Sequence, residues 1–83
     1  MTSSGTVRLS SIFEMLNHCA KGYERKESKH YNIITYREKA YRNFPKGYHG
    51  EKNPEIEKGH VRKLIRFLGI DEDCARKHLP LLR

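Results

Sequence analysis

The stretch that most constrains the fold of this chain is residues 28–36, SKHYNIITY. It is the only run in which β-branched and aromatic residues crowd together between strongly charged flanks, and that composition is typical of a β-strand. Because side chains alternate between the two faces of a strand, one face holds Tyr31, Ile33 and Thr35, which suit a hydrophobic core. The other face is then the open one, and it carries His30, Asn32, Ile34 and Tyr36.

Basic residues surround this strand in the sequence. Arg25, Lys26, Lys29 and Arg37 lie close to His30, so a polyanion is expected to reach the imidazole. Over the whole chain, 17 Lys and Arg against 10 Asp and Glu give a formal charge of +7. The resulting pI of about 9.7 favours a nucleic acid, an acidic protein or an anionic surface as partner. A basic surface that serves solubility alone is the alternative.

The length of 83 residues predicts one domain with a small, two-layered core. Residues 1–5 are small and polar, and we expect them to be disordered; residues 6–83 form the single domain. No segment resembles a signal peptide or a membrane span. We therefore expect a cytoplasmic protein with no membrane partner.

Helical periodicity appears on both sides of the strand region. The first amphipathic pattern predicts a helix over about 7–20, although Ser11 and Glu14 resemble a capping box that would start it later. The second pattern ends at Gly69, a left-handed stop, and Gly59 favours a start near Lys58. Asp71 caps a short third helix over about 72–78. The apolar positions of the two patterns are Leu9, Ile12, Phe13, Leu16, Ile56, Val61, Leu64, Ile65 and Leu68. With a start near Lys58, Ile56 lies on the approach to the second helix and is still buried.

Further extended segments flank the central strand. Residues 22–28 read as a strand, separate from 28–36 or continuous with it. Residues 40–45 alternate out of phase, which a bulge or an edge position would reconcile, and Pro45 ends them before a Gly-flanked loop over 46–52. The predicted fold is thus α+β, a small two-layer αβββα domain with a short extra C-terminal helix.

The two cysteines, Cys19 and Cys74, each fall in an amphipathic pattern where a small apolar residue fits. We expect free thiols, with one disulfide as the alternative. Cys74 and His78 are spaced by four residues, but such a pair is two ligands short of a structural zinc site. The sequence therefore predicts no metal and no cofactor.

The order of elements and one segment resemble the HicA family of small mRNA interferase toxins, which have an αβββα, double-stranded-RNA-binding-like fold. Residues 55–70, EIEKGHVRKLIRFLGI, are the best match, and Phe44-Pro45 is similar to the end of a family strand. The family carries a histidine on the first strand of its sheet, three residues before an aromatic or aliphatic position. His30 precedes Ile33 in this way. The chain departs from the family in having Ser28-Lys29 where the family has Gly-Ser.

What the resemblance implies is an mRNA endoribonuclease that a cognate HicB-like antitoxin neutralises, with His30 as the catalytic residue. Imidazole has an ordinary pKa of about 6.5 and serves as acid or base near neutral pH. The ribose 2′-OH is then the nucleophile, so no metal is required. Lys29, Arg25 or Lys26 would stabilise the phosphorane. His49, in the Gly-flanked loop, is a second candidate for the acid–base group.

The residues expected to contact RNA are Arg25, Lys26, Lys29, Arg37, Lys46, His49, Lys58 and Arg62. On the second helix, Arg62, Lys63 and Arg66 form first a solvated face and only second a phosphate-contacting one. Tyrosines offer a base-stacking platform, although Tyr31 is expected in the core or at a sheet edge. The alternative function is a non-catalytic nucleic-acid-binding or protein-interaction module of the same fold.

Overall fold

The computed structural model of the chain describes residues 5–46 and 53–82. Its order of elements confirms the α+β class and the predicted sequence of helix, strands, helix and short C-terminal helix. Predictions for residues 1–4 and for most of the loop at 46–52 lie outside the described residues. The elements are β1 (Thr6–Arg8), α1 (Leu9–Cys19), β2 (Glu24–Glu27), β3 (Tyr31–Tyr36), β4 (Lys39–Pro45), β5 (Glu55–Glu57), α2 (Lys58–Leu68), α3 (Glu72–His78) and a 3₁₀ helix (Pro80–Leu82).

Strands β2, β3 and β4 form an antiparallel three-stranded sheet with β3 in the centre. The turn at 28–31 separates β2 from β3, so the two are not one long strand. Asn32 pairs with Phe44, whereas Ile34 pairs with Tyr41, and this register shift places an extra residue on β4. Strand β4 is therefore both bulged and at the sheet edge, as the out-of-phase alternation predicted.

A two-stranded ribbon of β1 and β5 was not predicted. Val7 pairs with Ile56, and each strand runs directly into a helix. Two further hydrogen bonds join the segments: Leu9 N donates to Pro54 O at 2.9 Å, and Lys58 N donates to Gly5 O at 3.2 Å. The ribbon thus brings the starts of α1 and α2 together. Such short strands are missed in sequence because they hold too few residues to display alternation.

The hydrophobic core lies between one face of the three-stranded sheet and the helices. Ile34 and Phe44 are the fully buried apolar side chains from the sheet. They pack with the apolar stripes of α1 and α2 and with Ala75 and Leu82 further along the chain. Helix α2 ends at Gly69, whose φ of 71° is left-handed, and Asp71 Oδ1 accepts a hydrogen bond from Asp73 N at the start of α3. Both helix signals are confirmed.

The prediction of which face of β3 is buried was wrong. Asn32 and Ile34 are buried, whereas Tyr31 is 45% exposed and does not belong to the core. Alternation gives the period of a strand but not its phase, and each face of β3 carries one isoleucine. The phase is decided by the neighbouring strand, where Phe44 sits opposite Asn32. His30, moreover, precedes β3 and lies in a turn.

The prediction of free thiols was also wrong. Cys19 and Cys74 form a disulfide with a Cα–Cα distance of 5.8 Å across 55 positions of sequence. Helix α1 packs against α3, and this packing brings the last residue of α1 beside Cys74. Sequence spacing could not reveal that pairing, because it depends on where α3 returns to the domain.

Candidate nucleic-acid interface

The turn that joins β2 to β3 presents His30 to solvent. Ser28 N donates to Tyr31 O at 2.8 Å. The Ser28 hydroxyl accepts from Tyr31 N at 3.1 Å and also donates to Tyr31 O at 2.9 Å. A serine that bonds the local backbone in this way stabilises a tight turn. Lys29 and His30 are left at its tip, both exposed.

Lys46 follows β4 and reaches across to this turn. Its Nζ atom donates to the carbonyl of Ser28 at 2.9 Å and forms an ion pair with Oε1 of Glu27 at 3.2 Å. The structure therefore brings Lys46 to the same turn as Lys29 and His30. We call this group the turn site; it consists of Ser28, Lys29, His30, Tyr31 and Lys46.

Glu27 moderates the positive charge beside the turn site. Hydrogen bonds from Lys46 and then Arg25, together with the charges of these two side chains, hold the pKa of Glu27 below its ordinary value. Arg25 also lies over the ring of Phe13 on α1, at 4.6 Å from its centroid. Its guanidinium is thus engaged by a carboxylate and an aromatic ring.

Tyr23 lies just before β2, close to Arg25. Its ring stacks on Phe13 with centroids 6.4 Å apart. Burial raises the pKa of Tyr23, and the nearby charge of Arg25 lowers it less strongly. Tyr23 therefore stays neutral near pH 7, and it packs on Phe13 of α1.

The face of the sheet opposite the core carries Lys26, Tyr31 and Ile33, and we call it the open face. Lys26 pairs with Ile33 across β2 and β3, so both point to the same side. The His30 ring meets the Tyr31 ring edge-on with centroids 6.5 Å apart. A half-exposed tyrosine beside lysines offers a surface on which a nucleic-acid base can stack near bound phosphate.

The remaining predicted contact residues are Arg37, Lys58, Arg62 and His49. Arg37 is in the turn at the far end of β3, about 20 Å from His30 at the usual rise per residue, and its guanidinium lies 5.0 Å from the Tyr36 ring centroid. Lys58 begins α2. Arg62 donates to Leu82 O at 3.4 Å, in the 3₁₀ helix. His49 lies outside the described residues.

A basic cavity between α2, α3 and the 3₁₀ helix was not predicted as a unit. Arg62, Arg66 and Arg76 line this space of about 290 Å³. Arg76 is paired with Asp73 at 2.6 Å and with Glu72 at 3.5 Å. The i, i+4 spacing of Arg62 and Arg66 is visible in sequence, but the contribution of α3 depends on how it packs.

None of the helices in the described ranges combines the length and apolar character needed to cross a membrane. Comparison with protein-family models, with curated proteins and with solved structures returns no match to this chain. The resemblance to HicA toxins accordingly rests on the sequence motifs alone, and the geometry of the turn site is the basis for any functional proposal.

Proposed function

We propose that this chain is a small basic RNA-binding protein that cleaves mRNA without a metal ion, as a HicA-like toxin, with His30 as the acid–base group. The observation that carries the proposal is the turn site: an exposed imidazole on a hydrogen-bonded turn, next to the exposed Lys29, with the ammonium group of Lys46 donating to the carbonyl of Ser28 on that turn. Catalysis of RNA cleavage needs a proton carrier and fixed positive charge held together.

In the proposed reaction, the His30 imidazole accepts the proton of a ribose 2′-OH. The 2′ oxygen forms a bond to the adjacent phosphorus, and the bond from phosphorus to the 5′ oxygen breaks. The departing 5′ oxygen takes up a proton from water, and the His30 imidazolium returns its proton to the resulting hydroxide. The products are therefore a 2′,3′-cyclic phosphate and a 5′-hydroxyl end. Lys29 and Lys46 stabilise the charge that builds up on the phosphorane oxygens.

Binding of the RNA extends from the turn site onto the open face. Lys26 contacts phosphate, and a base stacks on Tyr31, an interaction worth about 1–3 kcal/mol. Lys58, Arg62 and Arg37 contribute to long-range attraction of the polyanion. A cognate HicB-like antitoxin would inhibit the protein by covering the turn site and the open face.

The test is cleavage of a single-stranded transcript by the purified protein in excess chelator. We expect the wild type to produce cyclic phosphate and 5′-hydroxyl ends, and His30→Ala to lose cleavage by about 100-fold or more. His60→Ala, which removes a histidine from α2, is the matched control, and His49→Ala tests the second candidate. Circular dichroism must show that all variants fold alike. A folded wild type that cuts nothing contradicts the nuclease proposal.

A non-catalytic nucleic-acid-binding module is the second candidate function. The open face favours it, because Lys26 and Tyr31 suit phosphate and base contacts without any chemistry. The logarithm of the RNA association constant should then fall linearly with the logarithm of the salt concentration. Lys26→Met should make the slope of this line less steep, and His30→Ala should not abolish binding. A protein-interaction module is supported instead if RNA is not retained even at low salt.

A further inference from the structure

Four chemically active side chains meet where the end of α1 contacts α3. The two sulfur atoms of Cys19 and Cys74 and a ring nitrogen of His78 lie within 4.8 Å of one another. The ring of His18 stacks on that of His78, with centroids 4.5 Å apart and an interplanar angle of 9°. The turn site uses none of these residues.

The helices explain why these side chains converge. Cys74 and His78 are four residues apart on α3, so they lie on the same side of that helix. His18 and Cys19 occupy the last turn of α1, and α1 packs against α3. The cysteines are half-buried and His78 is exposed, so the cluster is anchored in the domain and open to solvent on one side.

We propose that this cluster is a zinc site when its disulfide is reduced, with Cys19, Cys74 and His78 as ligands and His18 as the fourth. Two thiolates and two imidazoles are a ligand set that holds Zn²⁺ in tetrahedral geometry. The three principal donors lie within 4.8 Å of one another, a separation that one ion can span with Zn–S bonds of about 2.3 Å and a Zn–N bond of about 2.0 Å. His18 is exposed, so its ring has room to turn toward the same ion.

The disulfide and the metal exclude each other, because both use the same two sulfurs. Opening the S–S bond takes two electrons and two protons. A phosphine reductant supplies the electrons and becomes a phosphine oxide with an oxygen atom from water, leaving two thiols. Zn²⁺ then displaces the thiol protons. In both states α1 is joined to α3, by a covalent bond in the oxidised chain and by the metal in the reduced one.

The experiment uses the full chain, reduced with a phosphine and freed of metal, with Co²⁺ as a spectroscopic probe. We expect a thiolate-to-cobalt charge-transfer band and the visible bands of a tetrahedral ion, at one equivalent, and loss of both when Zn²⁺ is added. The oxidised chain should show neither. If the reduced chain loses helical circular dichroism, Zn²⁺ should restore it, because a structural metal contributes folding free energy.

His78→Ala is the decisive variant, because it keeps both cysteines and hence the oxidised fold. Its Zn²⁺ affinity should fall by more than the roughly 10- to 100-fold that loss of an outer partner costs. His18→Ala should also weaken binding, and His60→Ala should not change it. The proposal is overturned if the reduced wild type shows no thiolate-to-cobalt band, or if His78→Ala binds Zn²⁺ as tightly as the wild type. RNA cleavage is not a readout here, so failure of this proposal is distinct from failure of the nuclease.

Discussion

The ammonium group of Lys46 donates a hydrogen bond of 2.9 Å to the backbone carbonyl of Ser28, and this contact joins the end of β4 to the turn that carries His30. The same ammonium lies 3.2 Å from a carboxylate oxygen of Glu27. Lys46 therefore places a positive charge at the turn and also ties two strands that are not neighbours in the sheet.

The stability that the Lys46–Glu27 ion pair contributes depends on pH. Because Lys46 and Arg25 lower the pKa of Glu27, the carboxylate stays charged in the folded chain at a lower pH than in the unfolded chain. Its contribution to stability is complete above the unfolded pKa and is lost as the pH falls through the folded pKa. Carboxyl-carbon NMR should show Glu27 titrating below its ordinary value of 4.5.

Replacing the lysine tests the cause of that shift. In Lys46→Met the pKa of Glu27 should rise toward its ordinary value, and Arg25 should keep the recovery incomplete. Lys77→Met, on α3, removes the same charge elsewhere and should leave the titration of Glu27 unaltered. If Glu27 titrates identically in wild type and Lys46→Met, the ion pair does not form in solution.

The Cys19–Cys74 disulfide should make a large contribution to stability. Closing a loop across 55 positions restricts the unfolded chain, and a bond of this kind is typically worth about 2–4 kcal/mol. Chemical denaturation of the oxidised wild type should therefore lose about that much free energy of unfolding on reduction in excess chelator. The double variant Cys19→Ser with Cys74→Ser should not respond to the reductant. Detection of two free thiols in the untreated protein would contradict the bond.

Asn32 is a buried polar residue whose two side-chain atoms differ in their surroundings. It is 1% exposed, and Nδ2 donates to Pro45 O at 3.1 Å, while Oδ1 has no hydrogen-bond partner within residues 5–46 and 53–82. Asn32→Ala should lower the free energy of unfolding by about 1–3 kcal/mol, because Pro45 O loses its donor. The exposed Asn43 on β4 is the control, and Asn43→Ala should change it by less than about 0.5 kcal/mol.

Asn32→Asp sharpens this test. At neutral pH it buries a carboxylate against the Pro45 carbonyl, and the loss of stability should exceed that of the alanine variant. Burial raises the folded pKa of such an aspartate, so the variant should regain stability as the pH falls and the acid donates to Pro45 O. Chemical denaturation of the variant at acid and at neutral pH measures this recovery of stability. Equal stability at both values would mean that this carboxyl group reaches solvent.

Two glycines should respond to alanine with opposite signs. Gly69 has a φ of +71°, and a Cβ added there would meet no atom within 4 Å, so Gly69→Ala should cost about 1 kcal/mol through backbone conformation alone. Gly59 lies within α2 in equally open space, and Gly59→Ala should stabilise by about 0.5–1 kcal/mol. Thermal unfolding of the two variants compares them directly. A shift of the same sign in both would contradict the left-handed end of α2.

Local signals determined much of the fold from sequence alone. The apolar spacing of α1 and α2, the left-handed stop at Gly69 and the cap at Asp71 each depend on a few neighbouring residues, and all were confirmed. The irregularity of β4 was also visible, because Tyr41 and Phe44 are out of phase, although the sequence left a bulge and an edge position as alternatives. These features are decided by backbone geometry and by hydrogen bonds within a few positions of chain.

Tertiary packing decided the features that set the candidate sites. Which face of β3 is buried depends on Phe44 across the sheet, and the place of Lys46 at the turn depends on β4 lying beside β3. The meeting of Cys19 with Cys74 and His78 depends on α3 packing against α1. Residues distant in sequence are brought together only when several elements bury their apolar faces at once, and no local pattern records that arrangement.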